Sequence, residues 1–249
     1  AAATAGMDIE YRCERDPRGP MTAEELEDVV AVIADLEEYS AELLAEVGTG
    51  APIDAGYAAG PGKPGASGRR NAPAGLSLIS RYGVGVDAID LVAARAAGVT
   101  VCNAPGANAR PTAEWTLASI LDIAGRRIPQ HERAAAGLRK AGPSRIDLTG
   151  ATVGIVGTGH VGMLMAELLE PFGVKILAND RGDEIDWIGN YRVEMVSLPE
   201  LCSSADVVTL HASAREQLIG QAELDLMGPT TILVNCARGY QVDNREAWR

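Results

Sequence analysis

Aromatic side chains are scarce in this chain, at 4% of 249 residues, and Phe172 is the single phenylalanine. Hydrophobic residues still make up 47%, so the implied core is aliphatic and alanine-rich. It is large enough for one large or two ordinary domains. Basic charge is also short, with 22 Lys and Arg against 34 Asp and Glu and a net charge of −12. No basic stripe stands out, so nucleic acid is excluded as an expected partner. The acidic balance reads as solubility. The four cysteines (Cys13, Cys102, Cys202, Cys236) lie far apart with no C-x-x-C pair, so neither a disulfide framework nor a metal site is expected. Reduced thiols in a cytoplasmic protein are the expectation. No apolar run approaches the ~18 residues of a membrane span, and the N-terminus lacks a basic-then-apolar signal pattern. Only three histidines are present.

What is present centres on Ala151 to Asp180, ATVGIVGTGHVGMLMAELLEPFGVKILAND. Thr152 to Val156 is a short, β-branched apolar run, the pattern of a buried parallel strand. Gly157, Gly159 and Gly162 follow at G-x-G-x-x-G spacing. Val161 to Leu169 is apolar at helical length and is stopped by Pro171-Phe172-Gly173. Val174 to Ala178 is a second strand, and Asp180 follows its end. Strand, glycines, helix, strand and acid together are the context that a dinucleotide site requires. The first glycine permits the tight turn, the second lets backbone approach a pyrophosphate, and the third lets helix and strand pack closely. A carboxylate at Asp180 can accept ribose hydroxyls and would repel a 2′-phosphate, which favours NAD over NADP. Arg181 next to it weakens that preference.

The rest of the chain reads as alternating strands and helices. Thr22 and Glu25 form a capping box, with Leu26, Val29 and Val30 continuing at helical spacing. Val32 to Asp35 reads as a strand and Ser40 to Val47 as a helix, while Ile9 to Tyr11 is a candidate first strand. Residues 48–75 hold twelve glycines and prolines in 28 positions, too few apolar groups to offset their ordering entropy, so disorder is expected there. Leu76 to Ser80 and Val99 to Cys102 read as strands around a helix from Ile89 to Ala97. Pro111 suits the first turn of a helix from Thr112 to Ala124 that carries Trp115, Ala118, Ile120 and Leu121 toward a core. Residues 131–149 read as a polar surface crossing. Val193–Val196, Asp206–His211 and Thr231–Asn235 are further strands, with helices at Leu198–Cys202 and Gly220–Leu226. This alternation predicts an α/β, doubly wound parallel sheet, whose ligands gather at the carboxyl ends of the strands. Gly157, Asp180, His211 and Arg238 all fall at such ends.

Four blocks carry a family resemblance: RYGVGVDAID (81–90), NAPGANARPTAEW (103–115), VGIVGTGHVG (153–162) and LVNCARGYQVD (233–243). In this order the chain resembles the NAD-dependent D-2-hydroxyacid dehydrogenase family, most closely its phosphoglycerate-dehydrogenase-like branch. The resemblance implies two domains with the active site in the cleft between them. Residues 1–108 would be a smaller, flavodoxin-like substrate domain and 109–249 an incomplete dinucleotide (Rossmann) domain. It implies NAD as cofactor, a small 2-hydroxy or 2-keto acid as substrate and a homodimer. The Val84-Gly85 backbone and Asn108 would bind substrate. Ala104 and Thr112 would line the nicotinamide side. Gly157, Gly159, His160, Val161 and Gly162 would cover the pyrophosphate, although many relatives carry arginine at position 160. Asp180 would take the adenosine ribose. His211, Ala212, Cys236, Ala237 and Arg238 would face the rest of the cofactor. Arg238 matches the family's catalytic arginine, whose guanidinium grips a carboxylate and polarises a ketone oxygen.

The family's proton-transferring histidine and its glutamate come later than the arginine, and this sequence runs eleven residues past Arg238 without a histidine. Both chain ends are accordingly expected to be cut, and the chain as written to turn over little. His131 is expected to be exposed, His160 to be at most a cofactor contact, and His211 to pack or line the cofactor's edge. The segment after His211, ASAREQ, is shorter than in relatives and lacks their proline. Two alternatives remain at this point, a non-catalytic dinucleotide-sensing protein of the corepressor type and a formate dehydrogenase. The side chain of the substrate and the direction of the reaction are not written in the sequence.

Overall fold

A computed structural model describes residues 20–27, 29–34, 37–48, 75–138, 145–182, 187–188 and 191–247. The readings of Ile9–Tyr11 and of most of 48–75 lie outside these residues. The chain divides into two compact units, Ala1–Ala107 and Asn108–Arg249.

The first unit is a three-stranded parallel sheet of β1 (Ala31–Ala34), β2 (Leu78–Arg81) and β3 (Thr100–Cys102), in the order β1-β2-β3. Helices α1 (Ala41–Val47) and α2 (Leu91–Ala96) connect and cover it. Ser40 caps α1 by accepting from the Leu43 N–H, and Asp90 caps α2 by accepting from Val92 and Ala93. Leu43, Leu44, Leu76, Ile79, Ala94 and Val99 fill the core. The helix expected from Thr22 is a single 3₁₀ turn, Glu24–Leu26. Its capping box is real: the Thr22 N–H donates to Glu25, and the Glu25 N–H to the Thr22 hydroxyl. The turn ends at Leu26, so the spacing of Val29 and Val30 does not extend it.

The second unit begins with α3 (Ala109–Ala124) and α4 (Arg127–Ala135). Two expectations fail here. Trp115, read as core, is 71% exposed, and Ala118 is exposed as well. The buried face of α3 is Ala109, Ala113, Thr116, Ile120 and Ala124. Small residues on that face let α3 approach its neighbour closely, and the large indole is turned outward. Residues 131–149, read as a crossing, begin instead inside α4, a helix with no buried residue. Arg126 separates the two helices in the left-handed region, at φ 50°, and Gln130 donates to the Gly125 carbonyl at the end of α3.

Next come β4 (Thr152–Val156), α5 (His160–Leu169), β5 (Lys175–Asn179), a small antiparallel pair β6 (Trp187–Ile188) and β7 (Tyr191–Arg192), β8 (Glu194–Met195), α6 (Leu198–Ser204), β9 (Val207–Leu210), α7 (Gln221–Leu226), β10 (Ile232–Asn235) and α8 (Asn244–Ala247). Five of these strands form a parallel sheet in the order β10-β9-β4-β5-β8. Numbered within the sheet this is 5-4-1-2-3, the dinucleotide-binding order, with its switch point between β4 and β9. Successive residues of a strand face opposite sides. Val153 and Ile155 of β4 pack with Ala113, Ile120, Met165 and Ala166 of α3 and α5. Val156, with Leu177 and Val208 of the neighbouring strands, packs on the other side with Leu201 and Cys202 of α6. Burial on both faces is why these strands read as unbroken apolar runs.

Candidate dinucleotide site

The turn between β4 and α5 occupies the switch point. Each of its glycines has a separate reason to lack a side chain. Gly157 has φ +94°, and a Cβ there would lie 2.5 Å from the Ala212 nitrogen of the loop after β9. A Cβ on Gly162 would lie 2.1 Å from the Gly157 carbonyl oxygen, so only glycine lets α5 sit this close to β4. Gly159 meets nothing within 4 Å. Its bareness serves no contact among the described residues and leaves the backbone uncovered by them. Gly159 also begins α5, which has no side-chain cap. The helix therefore presents free N–H groups and a positive dipole end on that open side. His160 is exposed there, and Val161 is half-buried.

Asp180, after β5, is brought beside this turn. One carboxylate oxygen accepts from the Thr158 N–H at 2.6 Å and the Thr158 hydroxyl at 2.9 Å. The other accepts from the Arg181 N–H at 2.7 Å and the Gly182 N–H at 3.1 Å. Partial burial pushes its pKa up, but these hydrogen bonds together outweigh it and hold the carboxyl below the ordinary aspartate value. Asp180 is thus ionised near neutral pH, with its orientation fixed by four donors. The Arg181 guanidinium turns away to an ion pair with Glu216.

The loops after β9 and β10 form the other rim. The His211 N–H donates to the Val156 carbonyl at 2.7 Å, which seats the β9 end against the glycine turn. The His211 ring places Nε2 2.9 Å from the Thr209 hydroxyl, while Nδ1 is buried with no partner among the described residues. Burial pushes its pKa down to about 4, so the ring is neutral at pH 7. Ala212 is half-buried beside Gly157. Beyond β10, the Asn235 side chain folds the next three residues into a turn. Its Nδ2 donates to the Arg238 carbonyl at 2.8 Å, and its Oδ1 accepts from the Ala237 N–H at 2.9 Å. Cys236 packs on the sheet core, and Arg238 is half-buried with one nitrogen 3.1 Å from the Ala237 carbonyl.

Three braces escaped the sequence reading. Thr158 holds Asp180, and Asn235 shapes the arginine turn. Gln241, fully buried, joins the two loops by donating to the Ala212 carbonyl at 2.9 Å and to the Ala214 carbonyl at 2.7 Å. Its backbone carbonyl also accepts from Leu218 and Ile219, and its N–H donates to Arg238. A buried glutamine just past the arginine is the one signal that the sequence held for this strut.

The substrate-side residues are described within their own units. In the first, Val84 is exposed and its carbonyl accepts from Asn103 Nδ2 at 2.8 Å, while Ala104 donates to the Gly83 carbonyl at 3.2 Å. Gly85 is half-buried in the same loop. In the second, Asn108 stands exposed before α3 without capping it, and its carbonyl accepts from the Thr112 hydroxyl at 2.8 Å. His131 is exposed on α4. Among the described residues, no group of three or more His, Cys, Asp or Glu could hold a metal ion, and no helix is long and apolar enough to cross a membrane.

Residues 117–247 match the model of the D-isomer specific 2-hydroxyacid dehydrogenase NAD-binding domain. The chain is 37% identical over 179 residues to D-3-phosphoglycerate dehydrogenase of Methanocaldococcus jannaschii, covering 68% of this chain and 33% of that one. It is 33% identical over 192 residues to glyoxylate reductase of Aeropyrum pernix, covering 70% and 57%. It thus spans about a third to a little over half of these relatives' lengths. Among solved structures it resembles D-lactate dehydrogenase from Aquifex aeolicus, complexed with NAD and lactic acid, at a TM-score of 0.75 and 25% identity, over 92% of this chain and 62% of that one.

Proposed function

Because the chain belongs to the D-isomer specific 2-hydroxyacid dehydrogenase family, we propose that it serves hydride transfer between NAD and C2 of a small 2-hydroxy or 2-keto acid. The observation that carries this reading is the switch-point turn, with Gly159 bare toward solvent and Asp180 held ionised beside it. Bound NAD would accept or supply the hydride. The open backbone at 159–162 would bind the pyrophosphate, and Asp180 the adenosine ribose. Four donors already fill the carboxylate's four acceptor positions. A ribose hydroxyl therefore binds by replacing one of them, and the rotatable Thr158 hydroxyl is the one free to leave.

Arg238 would grip the substrate carboxylate and polarise its ketone with charge-assisted hydrogen bonds. The N–H groups around Val84 and Gly85 would hold the carboxylate, and Asn108 would lie on the substrate side. Ala104 and Thr112 would line the nicotinamide, with Ala212, Cys236 and Ala237 along the cofactor's edge. His211 packs there as a neutral ring. The assembly would be a cytoplasmic homodimer, for which the exposed Trp115 and Ile123 of α3 and Ile128 of α4 offer apolar surface.

Binding tests the proposal without requiring turnover. The chain should bind NADH, seen in nicotinamide fluorescence, and the NADH complex should then bind oxamate, an inert 2-keto acid mimic. Asp180→Ala should weaken NADH about tenfold, the equivalent of one lost charge-assisted hydrogen bond. Arg238→Gln should leave NADH binding within about threefold and weaken oxamate at least about tenfold. NADH binding with no oxamate binding would favour a dinucleotide sensor over an oxidoreductase.

A further inference from the structure

Arg181 makes the sequence ambiguous about the cofactor. It follows Asp180 directly, and a guanidinium at this place in the fold is the group that accommodates the 2′-phosphate of NADP. The structure gives that guanidinium another occupation. Its Nη2 donates to Oε1 of Glu216, 35 residues further on, in the loop after β9. The arginine is thereby bracketed by two carboxylates, Asp180 through the backbone N–H and Glu216 through the side chain.

We infer that Glu216 is a cofactor-selectivity residue, which keeps the site for NAD by holding Arg181 off the 2′ position. The inference rests on the dinucleotide reading given above. A 2′-phosphate entering this corner meets the charges of Asp180 and Glu216, and the Arg181 guanidinium between them is already paired. A 2′-hydroxyl carries no charge and does not feel the difference. Both partners of the ion pair are largely exposed, at 68% and 56% of their side chains, and exposed pairs contribute little to stability. Glu216 can therefore be changed without loss of the fold, and its role is separable from structure. It acts through Arg181, as a positioning residue.

The test is titration of the chain with NADH and with NADPH, for the parent, Glu216→Gln, Arg181→Ala and the double variant. Removing one negative charge near a phosphate and freeing one guanidinium should tighten NADPH about tenfold in Glu216→Gln. NADH should change by less than about twofold. The gain should be smaller in the double variant, where only the removed charge acts, and should shrink in high salt. A Glu216→Gln protein whose NADPH-to-NADH ratio stays within about twofold of the parent's would overturn the inference, as would a gain that survives undiminished without Arg181. Failure of the parent to bind NADH would instead overturn the dinucleotide site itself, and the inference would fall with it.

Discussion

The two rims of the site are built from different materials. The turn after β4 is made of backbone: its shape comes from two missing side chains, at Gly157 and Gly162, and a third, at Gly159, leaves it bare. The loops after β9 and β10 are made by braces, with Asn235 folding the arginine turn and Gln241 tying it to Ala212 and Ala214. A rim of backbone is intolerant of additions, and a braced rim is intolerant of deletions. The same substitution logic therefore gives opposite results on the two sides.

The largest effect expected is on the backbone rim. Gly162→Val should cost more than about 3 kcal/mol in urea unfolding, since even the first added carbon would lie 2.1 Å from a backbone oxygen that cannot swing away. Gly159→Ala, three residues earlier, should cost less than about 1 kcal/mol and still weaken NADH at least about tenfold, by capping the open backbone. If the two glycines behaved alike, the division of labour within the turn would be broken.

On the braced rim, His211 gives a pH signature. Its pKa is about 4 in the folded protein against about 6.5 when unfolded. The unfolded chain thus binds the proton first. This contribution to stability is whole above pH 6.5, declines as pH falls below it, and is gone below about 4. The parent should lose roughly 3 kcal/mol more across that window than His211→Gln. Matching pH profiles would show that the ring is not held neutral.

The smallest effect sharpens the contrast. Gln241→Leu takes the Gln241 donor from the Ala212 carbonyl and leaves the Ala214 carbonyl with the Tyr240 hydroxyl, at a cost of about 2 kcal/mol by thermal or urea unfolding. An unchanged midpoint would mean that Gln241 does not hold the rim together.

Legibility in the sequence followed the same division. The strands β4, β5, β9 and β10 were readable to within about a residue or two, because burial on both faces leaves an unbroken apolar run. The glycine turn and Asp180 were readable because their geometry is local. Trp115 misled for the converse reason: apolarity marks what is able to be buried, while α3 buries its small residues to pack closely. α4 escaped because its residues are mostly polar and charged, and none of them is buried.

By itself the sequence determined the dinucleotide fold and where its phosphate turn lies, since backbone conformation and strand burial are set by neighbouring residues. Only the tertiary structure decided what the polar side chains around that turn do. It gave Thr158 and Asn235 their bracing roles, paired Arg181 with Glu216, and held His211 neutral. Thr158 and Asp180, and Arg181 and Glu216, are distant in the chain, and a side chain's charge and orientation follow from whatever the fold sets beside it.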